Sequence, residues 1–417
     1  MPSEPNPPNV YVWVWLPGAT EPVVAGVLQA AGTTTLFRYA ESFLAREDAV
    51  SLYLPEVPLR AGPIRPVAGL SIAGCIADAG PDAWGQRVIL RRLFGRGNSG
   101  SGGVEPHVLT FLLESGSDRI GALDFQVSPS DYLPRSVSAS LEEMMQAAER
   151  LEAGQPFSPE LDAALLRGSS IGGARPKALL DDDGRRLIAK FSSSTDSYPV
   201  VKAEAVAMEL AQRVGLNVAH TEVVECLGRD VLLVERFDRT GVSGEKRMIV
   251  SALTLLELDE MMARYATYPA LADVIRERFT QPKQTLRELF SRIVFNILVG
   301  NTDDHARNHT AFWDGSSLSL TPAYDICPQL RSGGEAVQAM AIARDGFRFS
   351  QIIGCQDAAS TYLLSPDEAR EIIEHQLHVI RTQWTYAADV ARLTHSERSR
   401  LWGHQILNPF STEGYSS

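Results

Sequence analysis

Hydrophobic and polar positions near the start of the chain follow the two-residue period of strands. Val10-Tyr-Val-Trp-Val-Trp-Leu16 is rich in β-branched and aromatic side chains and runs into the turn signal Pro17-Gly18. Further strands are predicted over 22–28 and 34–39, then a helix over 40–46, which together make a small antiparallel sheet domain. Asp78-Ala-Gly-Pro81-Asp82-Ala-Trp84-Gly85 opens another helix, because Pro81 suits a first turn and Asp82 suits its positive end. That helix passes through Leu90, Leu93 and Phe94 and stops in the Gly/Ser stretch 97–103, which has few side chains able to pack. A helix over 108–114, a strand over 119–126 and a helix over 141–151 complete the region.

Beyond it the pattern reads strand, turn, strand: 178–180, the turn 181–184, and 186–191 with Lys190 near its end. Residues 202–214 have the three-and-four spacing of a helix, closed by Gly215. Strands over 218–226 and 230–234 lead into Glu235-Arg-Phe237-Asp238-Arg239. From Ser251 the spacing is helical, over 251–262, 269–279 and 285–299, and again from Ser365 to about Trp384 and over 393–402. Ser365-Pro-Asp-Glu368 combines a capping residue, a first-turn proline and acids at the dipole's positive end. The fold class is α+β: a sheet-rich first part and a mainly helical C-terminal lobe.

Length and charge narrow the possibilities. A chain of 417 residues exceeds one ordinary core and predicts two or three domains. No apolar run has the length of a membrane span, and Met1-Pro-Ser-Glu-Pro-Asn-Pro-Pro lacks the features of a signal peptide, so a cytoplasmic protein without a membrane partner is expected. Cys75, Cys226, Cys327 and Cys355 are scattered and read as buried thiols. The net charge of −12 repels nucleic acid over most of the surface, so direct DNA binding is a poor first reading.

The chemistry concentrates in two acidic loops, Gly300-Asn-Thr-Asp303-Asp304-His305-Ala-Arg-Asn308 and Leu320-Thr-Pro-Ala-Tyr-Asp325. Phosphoryl transfer needs a carboxylate to orient the attacking hydroxyl, and an Asn and a second carboxylate to hold the magnesium that screens the triphosphate. The base stands five residues before that Asn in protein kinases. Asp303 and Asn308 have this spacing, whereas Asp304 is one residue too close and reads as a supporting acid of the loop. His305 and His309 could suggest zinc, but no Cys pair or His-x3-His accompanies them, and hard oxygen donors suit magnesium. Upstream, Ser169-Ser170-Ile171-Gly172-Gly173-Ala174-Arg-Pro-Lys177 is a glycine-rich loop whose backbone could cradle phosphates, although it is not a Walker loop. Lys190 is then the phosphate-gripping lysine of the second strand, with Glu204, or alternatively Glu209, as its helix partner.

Taken together these strings resemble the HipA-type serine/threonine kinase toxins of bacterial toxin–antitoxin pairs, over nearly the whole chain. The resemblance is carried by Phe37-x-Tyr39, Asp78-x-x-Pro-Asp-x-Trp84-Gly85, Arg119-Ile-Gly-Ala-Leu, Gly172-Gly-Ala-Arg-Pro-Lys177, Glu235-Arg-Phe-Asp238, Asn301-x-Asp-Asp-His-x-x-Asn308 and Leu320-Thr-Pro-x-Tyr-Asp325. It implies a protein-kinase-like two-lobe fold with an extra N-terminal β-sheet domain, divided as 1–135, 136–238 and 239–417. It implies ATP and Mg2+ as cofactors, and transfer to Ser or Thr of a translation-linked protein such as an aminoacyl-tRNA synthetase. It further implies a HipB-type helix-turn-helix antitoxin as partner, with DNA reached only through that antitoxin.

By position the resemblance makes Asp303 the catalytic residue and gives magnesium to Asn308 and Asp325. Ile171, Gly172, Gly173, Ala174, Lys177, Lys190, Glu204, Glu235, Phe237, Asp238 and His305 are then expected at the nucleotide, and Ser170 as an autophosphorylated serine. Ile326-Cys327 follows Asp325 where protein kinases have Phe-Gly, and Asn301-Thr302 stands in place of a His-Arg pair; the family shares both departures. Two other readings stay open: a non-catalytic corepressor subunit bound to the antitoxin, and a small-molecule or lipid kinase on the same fold.

Overall fold

The alternating run near the N-terminus forms β1 (Asn9–Val14), flanked antiparallel by β2 (Val23–Ala31) and β4 (Leu123–Gln126), with β3 (Thr34–Tyr39) outside β2. The computed structural model describes residues 9–94, 106–135, 140–152, 177–182, 184–192, 196–241, 244–331 and 333–416. Val10, Val12 and Val14 put one face of β1 into the core, as the period of two requires. Gly26 of β2 has no room for a side chain: a Cβ there would lie 2.2 Å from the Arg38 carbonyl oxygen. Tyr39 donates its hydroxyl to the Val57 carbonyl at 2.8 Å and accepts the Leu52 N–H at 3.0 Å, which holds the loop after α1 (Glu41–Leu44).

Two compact units emerge. One comprises Met1–Ser193, Arg236–Val250 and Trp313–Ser316; the other comprises Ser194–Glu235, Ser251–Phe312 and Ser317–Ser417. The first holds the sheet, α2 (Gly74–Ala77), α3 (Ala83–Phe94), α4 (Val108–Glu114), α5 (Leu141–Glu152) and the hairpin of β5 (Lys177–Asp182) with β6 (Arg185–Phe191). It also holds the short hairpin β9 (Arg239–Thr240) with β10 (Glu245–Lys246), preceding β11 (Met248–Ser251). The second begins with α6 (Val200–Arg213) and the hairpin of β7 (Thr221–Cys226) with β8 (Arg229–Glu235). It continues with α7 (Ala252–Leu255), α8 (Tyr268–Arg278), α9 (Pro282–Val299), the adjacent strands β12 (Thr310–Trp313) and β13 (Leu318–Leu320), α10 (Ile352–Asp357), α11 (Pro366–Val390) and α12 (His395–Leu401).

The Arg119 motif has a structural explanation inside the first unit. Arg119 is fully buried; its Nε meets Asp124 at 2.8 Å, while Nη1 reaches the Ser115 hydroxyl at 2.8 Å and the Ala79 carbonyl at 3.1 Å. One guanidinium thereby ties α4, the turn before α3 and β4 together. The predicted strand over 119–126 is shortened to β4 because Gly121 turns the chain at a φ of +79°. Asp238 closes the same cluster, accepting Arg236 Nε at 2.9 Å, Arg239 Nη1 at 2.9 Å and the Gly121 N–H at 2.8 Å.

In the helical unit the capping box of Ser365 and Glu368 starts α11 where the pattern predicts, and the helix runs on to Val390. The predicted helix over 251–262 is different: only Ala252–Leu255 is α-helical. Glu257 takes a left-handed φ of +57°, and Asp259 draws the Met262 N–H to its own side chain at 2.8 Å. A short side chain that bonds the local backbone competes with helix continuation. Among the described residues no helix is long and apolar enough to cross a membrane.

Replacing Arg119 by Met keeps volume but leaves Asp124 as a buried carboxylate without its main counter-ion. Arg119→Met is expected to destabilise the first unit by about 3–5 kcal/mol. Urea unfolding of the variant beside the wild type measures this, and an unchanged midpoint would remove the pair from the core's support.

Candidate active site

The helix that delivers the first acidic loop is buried almost all round. Ile293, Val294, Phe295, Ile297, Leu298 and Val299 of α9 have no exposed surface. It ends at Gly300, whose φ is +74° and where a Cβ would stand 2.6 Å from the Gln405 carbonyl oxygen. Glycine alone fits such a C-terminal turn, so the chain leaves the helix in one direction.

The neighbouring acids that follow have opposite fates. Asp304 is buried, and its Oδ2 accepts hydrogen bonds from Tyr268 Oη, from Asn296 Nδ2 at 2.8 Å and from His309 Nε2 at 2.9 Å. Asn301 extends the network by donating Nδ2 to Asn296 Oδ1 at 2.9 Å. Burial alone would raise the Asp304 pKa, but the His309 charge and the bonds from His309 and Tyr268 outweigh it and hold the carboxyl below its usual range. Asp303, next to it, opens to solvent. Its carboxyl is raised by partial burial first, then by the charges of Asp325 and Asp304, with His305 acting in the other direction.

Asn308 donates Nδ2 to the Asp303 carbonyl oxygen at 3.4 Å, so the five-residue interval closes into a turn. The second loop is laced to the first. Tyr324 Oη donates to the Arg307 carbonyl at 2.6 Å, and the Thr310 and Thr321 hydroxyls lie 2.8 Å apart. Ala323 is pinned between Asn217 and Ala219 by backbone bonds of 2.7 and 2.9 Å, and Asp325 follows with a left-handed φ of +59°. A non-glycine residue in that region is uncommon, Asp and Asn being the side chains that tolerate it best. Asp303, His305, Asn308 and Asp325 therefore sit within one unit, on loops held from several sides.

The other predicted residues are placed as follows. Ser170, Ile171, Gly172, Gly173 and Ala174 lie outside the described residues. Lys177 and Lys190 face each other in register across β5 and β6, and Lys177 Nζ lies 3.4 Å from Asp82 with both side chains buried. Asp82 also accepts the Gly85 N–H at 2.7 Å, so it caps α3 as its position suggested. Glu204 is buried in α6, whereas Glu209 is engaged by Arg213 at 2.7 Å. Glu235 and Phe237 are half-buried, and Asp238 holds the arginine cluster of the first unit. Sequence reasoning missed Tyr268, Asn296 and His309 as supports of Asp304, and Asp82 as the partner of Lys177. Only Asn296 carried a signal, as a polar residue within the apolar run of α9.

Asp304→Asn keeps the shape of the side chain but removes the charge that faces His309. At neutral pH the variant is expected to lose about 1–3 kcal/mol, the cost of weakening a buried charged hydrogen-bond site. Because the folded carboxyl lies below its unfolded value, this stability is complete above the ordinary range near ~3.9 and is lost as pH falls through the lowered folded value. Thermal melts across pH 3–7 should therefore show the two proteins converging in acid; a constant gap would mean that the charge contributes nothing.

The family described as the HipA-like C-terminal domain matches residues 169–384, and that described as the HipA N-terminal domain matches residues 14–126. The serine/threonine-protein kinase toxin HipA of Shewanella oneidensis is 28% identical over 184 residues, which is 38% of this chain and 42% of that protein. Toxin YjjJ of Escherichia coli is 24% identical over 185 residues, 42% of this chain and 41% of that protein. Each match thus spans less than half of the relative's length. Among solved structures, a chain of the Shewanella oneidensis complex of HipA, HipB and operator DNA superimposes with a TM-score of 0.65 at 20% identity, covering 96% of this chain and 99% of that one. The fold is protein-kinase-like with an added N-terminal sheet domain, and the chain belongs to the HipA family.

Proposed function

We propose that this protein is an ATP-dependent serine/threonine kinase of a toxin–antitoxin pair. One observation carries the reading: a solvent-open Asp303 stands one short turn from Asn308 and within electrostatic reach of Asp325. An open carboxylate at that position can accept the proton of an attacking hydroxyl. Asn308 and Asp325 would hold magnesium. Their hard oxygens suit that ion, and because the Asn308 amide nitrogen is directed to the Asp303 carbonyl, its Oδ1 remains as a donor to metal. When bound, the ion screens the triphosphate charge.

Lys177 and Lys190 are read as phosphate contacts, together with the backbone of residues 171–174, and Glu204 as the acid that positions Lys190. Glu235, Phe237, Asp238 and His305 are read as the rest of the nucleotide's surroundings, with Asp238 acting through the arginine cluster that it holds. Ser170 would be autophosphorylated and, by adding close to two negative charges beside the glycine loop, switch the enzyme off. The substrate is read as Ser or Thr on a translation-linked protein such as an aminoacyl-tRNA synthetase. The partner is read as a HipB-type antitoxin, supported by the presence of HipB and operator DNA in the Shewanella complex. An acidic chain would meet DNA through that partner.

Incubation with labelled ATP and Mg2+ tests the chemistry. Asp303→Asn is expected to slow transfer by roughly 10²–10⁴-fold, and Asp325→Asn to abolish it, in proteins that still fold. Asp304→Asn should retain substantial transfer wherever it remains folded. Near wild-type transfer by Asp303→Asn, or loss confined to Asp304→Asn, would assign the base to the wrong neighbour. In a gel shift the isolated chain should leave duplex DNA free at physiological salt and join it only with the antitoxin. Tight, salt-resistant binding by the chain alone would contradict that partnership.

A further inference from the structure

The stretch after Asp325 returns on itself before α10. Val337 and Phe349 pair across an antiparallel bridge, flanked by backbone bonds from Gln338 N to Arg348 O at 2.7 Å and from Ser350 N to Ala336 O at 2.8 Å. Successive side chains of such a pair point to opposite faces. Val337 and Phe349 are the outward ones, 50% and 46% exposed, while Gln338 and Ser350 are buried on the other face. Arg348 shares that inner face by the same alternation. Arg331 joins it by donating Nη2 to the Ser350 hydroxyl at 3.0 Å.

The polar groups gathered there lack partners of the kind they need. Gln338 is 1% exposed, yet among the described residues neither its amide oxygen nor its amide nitrogen has a hydrogen-bond partner. Among the described residues Arg331 Nε is buried without an acceptor, and Nη1 donates to the Gly334 carbonyl at 3.4 Å. Among the described residues neither Arg331 nor Arg348 has a carboxylate within ion-pair distance, whereas nearby Arg344 has Asp273 at 2.6 Å. Of the acids in the segment, Glu335 is exposed and Asp345 accepts the Phe347 N–H at 2.9 Å. Burial lowers the Arg331 pKa, as it does for a cation withdrawn from water without a counter-ion.

We infer that Arg331, Arg348, Gln338 and Ser350 form an oxyanion-binding site for a phosphoryl or carboxylate group. Guanidinium forks and an amide N–H match the planar or tetrahedral oxygens of such a group, and the ligand supplies the acceptors that these donors lack. The site is tied to the first acidic loop, because Ala339 donates its N–H to the Thr302 carbonyl at 3.1 Å. A bound oxyanion would thus steady the strand that touches the residue before Asp303. This holds whether or not the protein transfers phosphate.

Calorimetric titration of the full-length chain tests the site, with a non-hydrolysable ATP analogue and Mg2+ present to occupy the proposed nucleotide site. The probes are inorganic phosphate, a phosphoserine peptide and the same peptide with glutamate in place of phosphoserine. At least one is expected to saturate a single site, with affinity about tenfold weaker in Arg331→Gln and Arg348→Gln, as loss of a charged hydrogen bond predicts. Gln338→Leu, which removes the unpartnered amide, should weaken the probe and melt no lower than wild type. Tighter binding of a peptide assigns the oxyanion to a polypeptide, and binding of phosphate alone assigns it to the free ion. Equal affinity in all four proteins, or no binding of any probe to wild type, overturns the site. Failure of the ATP analogue to bind counts against the kinase reading and leaves the phosphate result standing.

Discussion

The buried carboxylate of Asp304 is the constraint on which the candidate site depends. A charge withdrawn from water is tolerated only when hydrogen bonds replace its hydration. Here the donors come from three places: Tyr268 at the start of α8, Asn296 inside α9 and His309 just beyond the loop. Because they converge on one oxygen, the loop has little freedom about that point. Its neighbour Asp303 is thereby turned toward solvent, and the Asn308 turn closes behind it. Two adjacent acids thus have unlike surroundings, one anchoring the backbone and the other left open to solvent.

The first unit uses the same physics for a different end. Arg119 pairs with Asp124, while Arg236 and Arg239 pair with Asp118 and Asp238 and donate to the Arg119 carbonyl, so that mostly buried charges link segments more than a hundred residues apart in sequence. Such a network contributes little net stability compared with an apolar core, but it is unforgiving of a missing member. Arg119 and Gly121 of the first string and Arg236 and Asp238 of the second are therefore explained in this unit by mutual satisfaction. Lys177 and Asp82 make a second such pair, joining the hairpin of β5 and β6 to the cap of α3. Any phosphate that draws on Lys177 must compete with Asp82.

Much of the secondary structure was legible because it is set locally. The alternation of Val10, Val12 and Val14 specifies a half-buried strand, and Ser365-Pro-Asp-Glu368 specifies the start of α11 within its own four residues. The interval from Asp303 to Asn308 was equally readable, since the turn that closes it is short. The helix over 251–262 was misread because apolar spacing there is outweighed by Asp259's bond to the backbone and a left-handed residue at Glu257.

By itself the sequence determined the strand and helix pattern, the acidic loops and the family strings, all of which rest on spacing between near neighbours. Tertiary structure alone decided which acid is buried, since Tyr268 lies 36 residues from Asp304 and nothing in its surroundings marks it as a partner. It likewise decided that Asp238 answers to Gly121, 117 residues away, and that Arg331 reaches the Ser350 hydroxyl. Charge pairing and desolvation depend on distance in space, and a chain's composition carries that information only after it has folded.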